Sequence, residues 1–589
     1  MTGPDRFEPW VRGWRGPLLA ALLTLIAALP GALALPALDR DEARFAQATA
    51  QMLETGDFVD IRFQDQPRYK KPVGIHWLQA ASVGLLSSAE AREIWAYRLP
   101  SLLGAMLAAA ACAWGAAAFF GPARGTAAGI VLGLSFLLST EAGIAKTDAV
   151  LCGVTTLALA ALARLYARQG QPKQSSGRLA LAFWLAMAAA LLDKGPIGPM
   201  VVLLTGLALW AVDRRAPWAR RLHWGWGLIL ILALAGPWAV AITVKTDGAF
   251  WGKAIGSDVA PKLAGGQEGH GALPGLHALI SPLLFFPFAF LLPAALIEGW
   301  KARTEPGVRF ALCWLIPSWL VFEATPTKLP HYTLPLYGAL AWLAVAAACR
   351  PPGLWSRRVG AGLGLLGGVA WVAVPLYLAA RYGGGAGTAL WAGAGALLAA
   401  LAALSGIAWA LWRQDARLIA AAGAFGLLAH GAILGGLAPR LQPLWPAPRL
   451  TALLARNHLD PRDGLVDGPV TVIGYAEPSL VFALGTETEL GDASDGGEAI
   501  AEGRPVIVEA RDQPAFLAEL AGDQLKATPV AQAKGFDYSD GKAETFTLYR
   551  SDSPPPADSS PPSEPPPLAT EPLAPPSSAP IDERPPGDR

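Results

Sequence analysis

The chain has 589 residues, 53% hydrophobic and only 16% charged, against about 25% charged in soluble domains, and its mean hydropathy is +0.36. These values exclude an ordinary soluble protein and point to a polytopic α-helical membrane protein. The net charge of +1 hides strong segregation along the chain, nothing suggests a nucleic-acid partner, and Cys112, Cys152, Cys313 and Cys349 lack the spacing of a metal site or disulfide framework.

Residues 1–16, MTGPDRFEPWVRGWRG, are basic. The apolar run behind them has no clear small-residue cleavage site, so they read as a cytoplasmic N-terminus before a retained first helix. A membrane span takes about twenty apolar residues, and cytoplasmic loops are rich in Lys and Arg. Together these rules predict about thirteen helices between residues 17 and 439, near 17–36, 97–119, 125–140, 149–167, 179–193, 197–212, 226–243, 275–297, 308–323, 332–349, 359–380, 387–412 and 418–437. Loops holding Arg12 and Arg15, Arg214 and Arg215, Lys301 and Arg303, or Arg357 and Arg358 then fall in the cytoplasm. The alternate segments face the periplasm: 37–96, AKTD, DKGP, 244–274, TKLPHY and everything after about 438. Their short members carry isolated charges rather than basic clusters.

The first outer segment, 37–96, opens with DRDEARFAQATAQMLETGDF. Asp39 fits an N-cap with Glu42 as its N3 partner, Phe45, Ala48, Met52 and Leu53 recur at helical spacing, and Gly56 is a natural stop. An amphipathic helix along the membrane surface is expected. On that local pattern alone, Asp41 and Glu42 simply complement the helix dipole. PRYKKPVGIHWLQA follows, where Pro72 opens a second surface helix with Trp77 and Leu78 facing lipid and Arg68, Lys70 and Lys71 at its start. Cations at a helix start oppose its dipole, a conflict that a bound anion or lipid headgroups would relieve.

Further charges recur at the same rim. EAGIAKTDAV brings Lys146 and Asp148, LLDKGPIGP brings Asp193 and Lys194, and TPTKLPHYTLP brings Lys328, His331 and Tyr332. Charges at the edge of hydrocarbon normally face a bundle interior or cavity. Two acids, Asp41 and Asp148, together with Arg44, Lys71, Lys194 and Lys328, suit the transfer of a sugar from a lipid-linked donor. The cations would hold the donor phosphate, and a carboxylate would orient or deprotonate the acceptor. Glu42, Tyr69, His331 and Tyr332 lie among these groups and are expected to contact substrate. The alternative is a transporter or lipid flippase, which would place its binding groups near the midplane and commonly carry internal repeats; no repeat is visible, and the charges fall at span ends.

Residues 440–550 turn mixed, with strand-like PVTVIGYA, LVFAL, RPVIVEA and TFTLYR and helical PAFLAELAG. A small extracytoplasmic α/β domain is expected there. Residues 551–589 are Pro/Ser-rich with almost no large apolar residues, the composition of a disordered tail.

The ordered set DEARFAQ…ETGDF, YKKPVGIHWL, AKTDAV, LDKGPIG, GPWAV and TKLPHYTLP, spread over residues 10–440, resembles the bacterial aminoarabinose transferases that modify lipid A and the related protein mannosyltransferases. The resemblance implies a GT-C fold, a polyprenyl-phosphate-linked sugar donor, a lipid A or other envelope acceptor and inversion at the anomeric centre. It also implies a bacterial inner-membrane protein whose active site and C-terminal domain face the periplasm. By position, it implies that Asp41 lies at the reaction centre, that Arg44 and Lys71 bind the donor phosphate, and that Asp148 is a second acid. One departure concerns metal. The family commonly has Glu immediately before the motif lysine, where it helps hold a divalent ion, whereas this chain has Lys70. His270, in GGQEGHGALP, is the remaining candidate ligand, so a divalent metal cofactor stays an open expectation. The same departure leaves room for an inactive binding scaffold.

Overall fold

The computed structural model describes residues 8–169, 176–264, 271–412 and 415–552. His270 and the tail from residue 553 onward lie outside the described residues. Helix α1 (Arg15–Ala34) leads into an outer segment carrying α2 (Asp41–Thr55) and α3 (Gly74–Leu86), and α4 (Ile94–Phe120) re-enters the bundle. Then come α5 (Pro122–Gly133), α6 (Phe136–Glu141), α7 (Thr147–Ala167), α8 (Gly177–Lys194), α9 (Ile197–Asp213) and α10 (Trp224–Lys245).

Helix occupies each of the thirteen expected segments, but not as thirteen unbroken spans. Among the described residues, eight helices are long and apolar enough to cross a membrane: α1, α4, α7, α10, Pro306–Ala324, Leu354–Tyr382, Gly385–Leu411 and Ala416–Arg440. The run expected at 125–140 is split into α5 and α6, and that at 275–297 into Leu276–Leu284 and Leu292–Lys301. The run at 332–349 starts as a 3-10 turn, Pro330–Leu336, before Tyr337–Ala348. Pro287 and Pro335 sit in the latter two interruptions, where a residue without an N–H cannot continue the helical ladder.

Small residues decide how closely the helices approach. A Cβ on Gly104 of α4 would lie 2.6 Å from the Cα of Val150, and one on Gly153 of α7 would lie 2.3 Å from the carbonyl oxygen of Gly104. The two backbones therefore touch, as small-residue interfaces allow when hydrocarbon surrounds both helices. That contact fixes the start of α7, and with it Asp148.

Helix α2 does not lie on lipid with a single apolar face, as its sequence pattern predicts. Ala43, Ala46 and Ala50 pack on Val83, Ala96, Tyr97, Ala145 and Phe482, while Ala48 and Met52 pack on another side against Ile61, Val73 and Trp238. Even its polar Gln47 and Thr49 are fully buried. The Thr49 hydroxyl lies 2.8 Å from His76 Nδ1 and 2.7 Å from Gln79 Oε1, and Gln47 Nε2 donates to Thr486 Oγ1 at 2.7 Å. The covering residues come from distant parts of the chain, which a local pattern does not encode. Helix α3 begins at Gly74 rather than Pro72, and its Trp77 and Leu78 are exposed as expected.

The C-terminal α/β unit contains a five-stranded sheet in the order β4 (Glu489–Gly491), β3 (Thr471–Ile473), β5 (Val506–Glu509), β7 (Lys542–Ser551), β6 (Ala527–Asp537); a small hairpin in the outer segment, β1 (Arg62–Phe63) with β2 (Gln66–Pro67), precedes them in the chain. Strand β3 runs parallel to β4 and β5, and β7 runs antiparallel to β5 and β6. The expected strands at PVTVIGYA, RPVIVEA and TFTLYR are present, as is the helix at PAFLAELAG, Gln513–Gly522. LVFAL is instead part of a helix, Pro478–Leu484. A short continuous apolar run fits either state, and Pro478 at the first helical position decides for helix.

Candidate active site

The site is organised by a carboxylate that does not itself face outward. Glu42, 1% exposed, accepts from Arg98 Nε at 2.8 Å and Nη2 at 2.7 Å, from the Leu38 N–H at 2.8 Å and from the Ala145 N–H at 2.6 Å. Arg98 in turn donates to the carbonyls of Ala32, Leu35 and Pro36. This buried pair joins the end of α1, the start of α2, the first turns of α4 and the loop before α7. It brings Asp41, the first residue of α2, toward the charged residues of that last loop.

Those charges form a compact network. Lys194 Nζ donates to Asp148 Oδ1 at 2.5 Å, and Lys146 Nζ lies 3.0 Å from Glu141 Oε2 and 3.7 Å from Asp148 Oδ2. His331 completes it, with Nδ1 at 3.3 Å from Lys146 Nζ and Nε2 at 3.7 Å from Asp148 Oδ2. The Lys194 ammonium also lies 5.7 Å from the centre of the Tyr332 ring. Two carboxylates thus face two ammonium groups, an arrangement that buried charge requires. Asp41, by contrast, is exposed at the first residue of α2. Its charge reaches Lys146 and His331, and no hydrogen bond or ion pair engages its carboxylate among the described residues.

The start of α3 abuts the end of α8: a Cβ on Gly74 would meet the Leu192 carbonyl at 2.7 Å. That contact fixes the start of α3, just after the basic stretch 68–71, against the last turn of α8. Arg68 stacks over Phe45 at 5.0 Å, Lys71 is half-buried, and Arg44 is half-buried one turn beyond Asp41.

Comparison with known proteins bears on this arrangement. Residues 70–240 match the family described as dolichyl-phosphate-mannose-protein mannosyltransferase. Among curated relatives, undecaprenyl phosphate-alpha-4-amino-4-deoxy-L-arabinose arabinosyl transferases from Aeromonas salmonicida and Pseudomonas fluorescens are each 28% identical, over 52% and 56% of this chain. The matched region spans little more than half the length of those relatives, 55% and 59%. The crystal structure of ArnT from Cupriavidus metallidurans bound to undecaprenyl phosphate superposes with a TM-score of 0.70 at 20% identity, covering 90% of this chain and 97% of that one. The chain shares the GT-C fold of that structure.

Within the GT-C frame, several sequence-based assignments change. Glu42, expected to contact substrate, is instead a buried structural clamp with both oxygens engaged. The expected cap is displaced as well: Arg40, not Asp39, is the N-cap residue of α2, and Glu42 reaches back to Leu38. Tyr69 is 8% exposed and packed against Phe250, with its hydroxyl on Asp60, so it supports the loop rather than presenting a face to substrate. Lys328 is 4% exposed, and its ammonium donates to the carbonyls of Thr325 at 2.5 Å and Ala272 at 3.1 Å. It fastens its own loop and offers no open charge to a phosphate. His331 and Tyr332 do join the network.

Glu141 and Lys146 are members that sequence reasoning left out of the site. The signal was present: a glutamate ends an apolar run that should otherwise continue into the membrane. Glu141, Asp148 and His331 bring three potential metal ligands within 4.8 Å of one another. The Lys146 ammonium already lies within 3.0 to 3.7 Å of all three. A metal ion there would have to displace a resident cation, so the trio does not fit a metal as it stands, and no metal enters the chemistry derived below.

Proposed function

We propose that this GT-C chain is a glycosyltransferase that moves a sugar from a polyprenyl-phosphate donor to lipid A or another envelope acceptor. Its site would open on the periplasmic face of a bacterial inner membrane. The basic loops at the opposite end of the bundle support that orientation. The observation carrying the reading is Asp41: an exposed carboxylate that no hydrogen bond or ion pair engages among the described residues, beside a charge-balanced network, with Arg44 and the 68–71 cations at the same rim.

In this mechanism, Arg44 and Lys71 hold the donor phosphate through charge-assisted contacts. The acceptor oxygen attacks the anomeric carbon from the face opposite the phosphate; a new C–O bond forms, the bond to the phosphate oxygen breaks, and polyprenyl phosphate leaves with the electron pair. The configuration inverts. A hydroxyl acceptor would give its proton to Asp41. A phosphate acceptor is already ionised, and Asp41 would then orient it. Asp148, enclosed by Lys194, Lys146 and His331, has no free face for a proton transfer. It holds the two lysines in place, so the donor-phosphate role of Lys194 is subordinate to its pairing with Asp148.

The test is transfer from a synthetic polyprenyl-phosphate sugar by membranes carrying Asp41→Asn or Lys71→Ala. We expect Asp41→Asn to lower turnover by roughly 100-fold or more, the scale of a lost general base or positioning carboxylate. Lys71→Ala should chiefly weaken donor binding. Undiminished transfer by both variants would remove the site assignment.

A further inference from the structure

The C-terminal domain has the topology of a ligand-binding α/β unit, and a segment of the chain itself reaches its binding end. From β3 the chain passes to β4 on one side, while β5 lies on the other side of β3. The carboxyl ends of β3 and β5 therefore flank a topological switch point, where such sheets place ligands. Asp39 and Arg40, the two residues before α2, dock on the residues around this end. The Asp39 N–H donates to the Tyr538 hydroxyl at 2.6 Å, Arg40 Nη2 donates to Asp540 Oδ1 at 2.7 Å, and Arg40 Nε lies 3.7 Å from Glu477 Oε1.

Arg40 adopts φ 63 and ψ −103, a conformation that a non-glycine residue keeps only when its surroundings over-determine it. The next residue is Asp41. We propose that Arg40 is a positioning residue for the reaction centre: its hydrogen bond to Asp540 and its ion pair with Glu477 hold the first turn of α2, and hence Asp41, in place, in a pH-dependent manner set by the acids around it. This rests on the glycosyltransferase reading above.

The charged surroundings are one-sided. On the C-terminal domain, Glu477, Asp537, Tyr538 and Asp540 face the docked loop, with the Tyr475 hydroxyl behind them. On the other side stand Asp39, Asp41, Glu42 and the two cations Arg40 and Arg44; Glu42 is neutralised by Arg98. Ser479 lies against the Asp39 carboxyl, and among the described residues the buried Tyr475 hydroxyl and Glu477 Oε2 make no hydrogen bond. Burial, then the charge of Asp537, pushes the Asp39 carboxyl up to about 6. Burial, then Asp39 and Asp537, pushes Glu477 up to about 7.

Raised carboxyl values mean that the docked state binds protons more tightly than the undocked one. Their contribution to docking is fully present below the ordinary carboxyl range and is lost as pH rises through about 6 to 7. Above that range both acids are ionised, the loop is held by Arg40 against mutual carboxylate repulsion, and Asp41 is less firmly placed.

The experiment uses the full-length protein in proteoliposomes with a synthetic polyprenyl-phosphate sugar, together with hydrogen exchange of residues 37–45, from pH 5.5 to 8.5. For the wild type we expect faster exchange at the higher pH, and for Glu477→Gln a flattened pH dependence of both exchange and kcat. Arg40→Ala and Asp540→Asn should lower kcat at least fivefold with donor KM within twofold of wild type, and Arg40→Lys should restore part of the loss. Wild-type rates and pH profiles in all the variants would overturn the proposal. If the wild type transfers no sugar, the functional reading fails instead, and the exchange data still decide whether the loop is held as described: exchange that is unaltered by Arg40→Ala would overturn that hold.

Discussion

Asp41 and Glu42 are adjacent acids in the first turn of one helix, yet their surroundings have nothing in common. Successive helical residues point about 100° apart, which leaves Asp41 exposed and turns Glu42 inward onto Arg98. Two charges buried together are stable only as a pair, and removal of one partner costs about 3–5 kcal/mol. Arg98→Ala should therefore lower the thermal stability of the detergent-solubilised protein by about that amount, whereas Asp41→Asn should leave it near wild type; unfolding scans of the two variants check this. Asp41 was legible as a reactive candidate because the resemblance singles out its position. The role of Glu42 was not legible, since its partner lies 56 positions away and nothing in the local pattern distinguishes an acid that caps from an acid that clamps. The lysines divide in the same way: Lys194 and Lys328 both stand beside prolines or glycines at a span end, and only three-dimensional placement puts one on Asp148 and the other on backbone carbonyls.

At the level of elements, the geometry of the charged network depends on a contact between two spans. Asp148 is the second residue of α7, and α7 is held where Gly104 and Gly153 let it touch α4. A larger residue at Gly104 would meet the backbone of Val150, for which no side-chain adjustment compensates. Gly104→Leu should destabilise the bundle by about 1–3 kcal/mol and move Asp148 relative to Lys194. A lower melting temperature together with reduced sugar transfer is expected, while Gly84→Ala, at a glycine with open space around it, serves as the control and should change neither. The existence of the long apolar helices followed from composition and run length. The breaks between α5 and α6 and around Pro287 did not, because a proline or serine in a long apolar run is compatible with either a kinked span or a divided one.

On the scale of the whole molecule, the outer segment and the C-terminal domain act as one cover over the rim of the bundle. Phe482 packs edge-on against Tyr97 at 5.2 Å, and Arg92 reaches Gln47, Glu54 and Thr486. If that rim is periplasmic, an impermeant thiol reagent applied to spheroplasts should label Leu465→Cys, which is exposed on the C-terminal domain. It should leave the natural Cys349, exposed at the other end, unlabelled until the membrane is permeabilised; the reverse pattern would invert the orientation. What the sequence by itself determined was membrane residence, the approximate course of the helices, the α/β character of the C-terminal region and the rim on which charge gathers. All of these follow from hydrophobic runs and charge segregation, which are properties of contiguous residues. Only the tertiary structure decided which charges neutralise one another, that α2 is enclosed rather than laid on lipid, and that the C-terminal domain grips the residues before Asp41. Those outcomes depend on partners far apart in the chain, whose pairing is set by burial and close packing rather than by any local pattern.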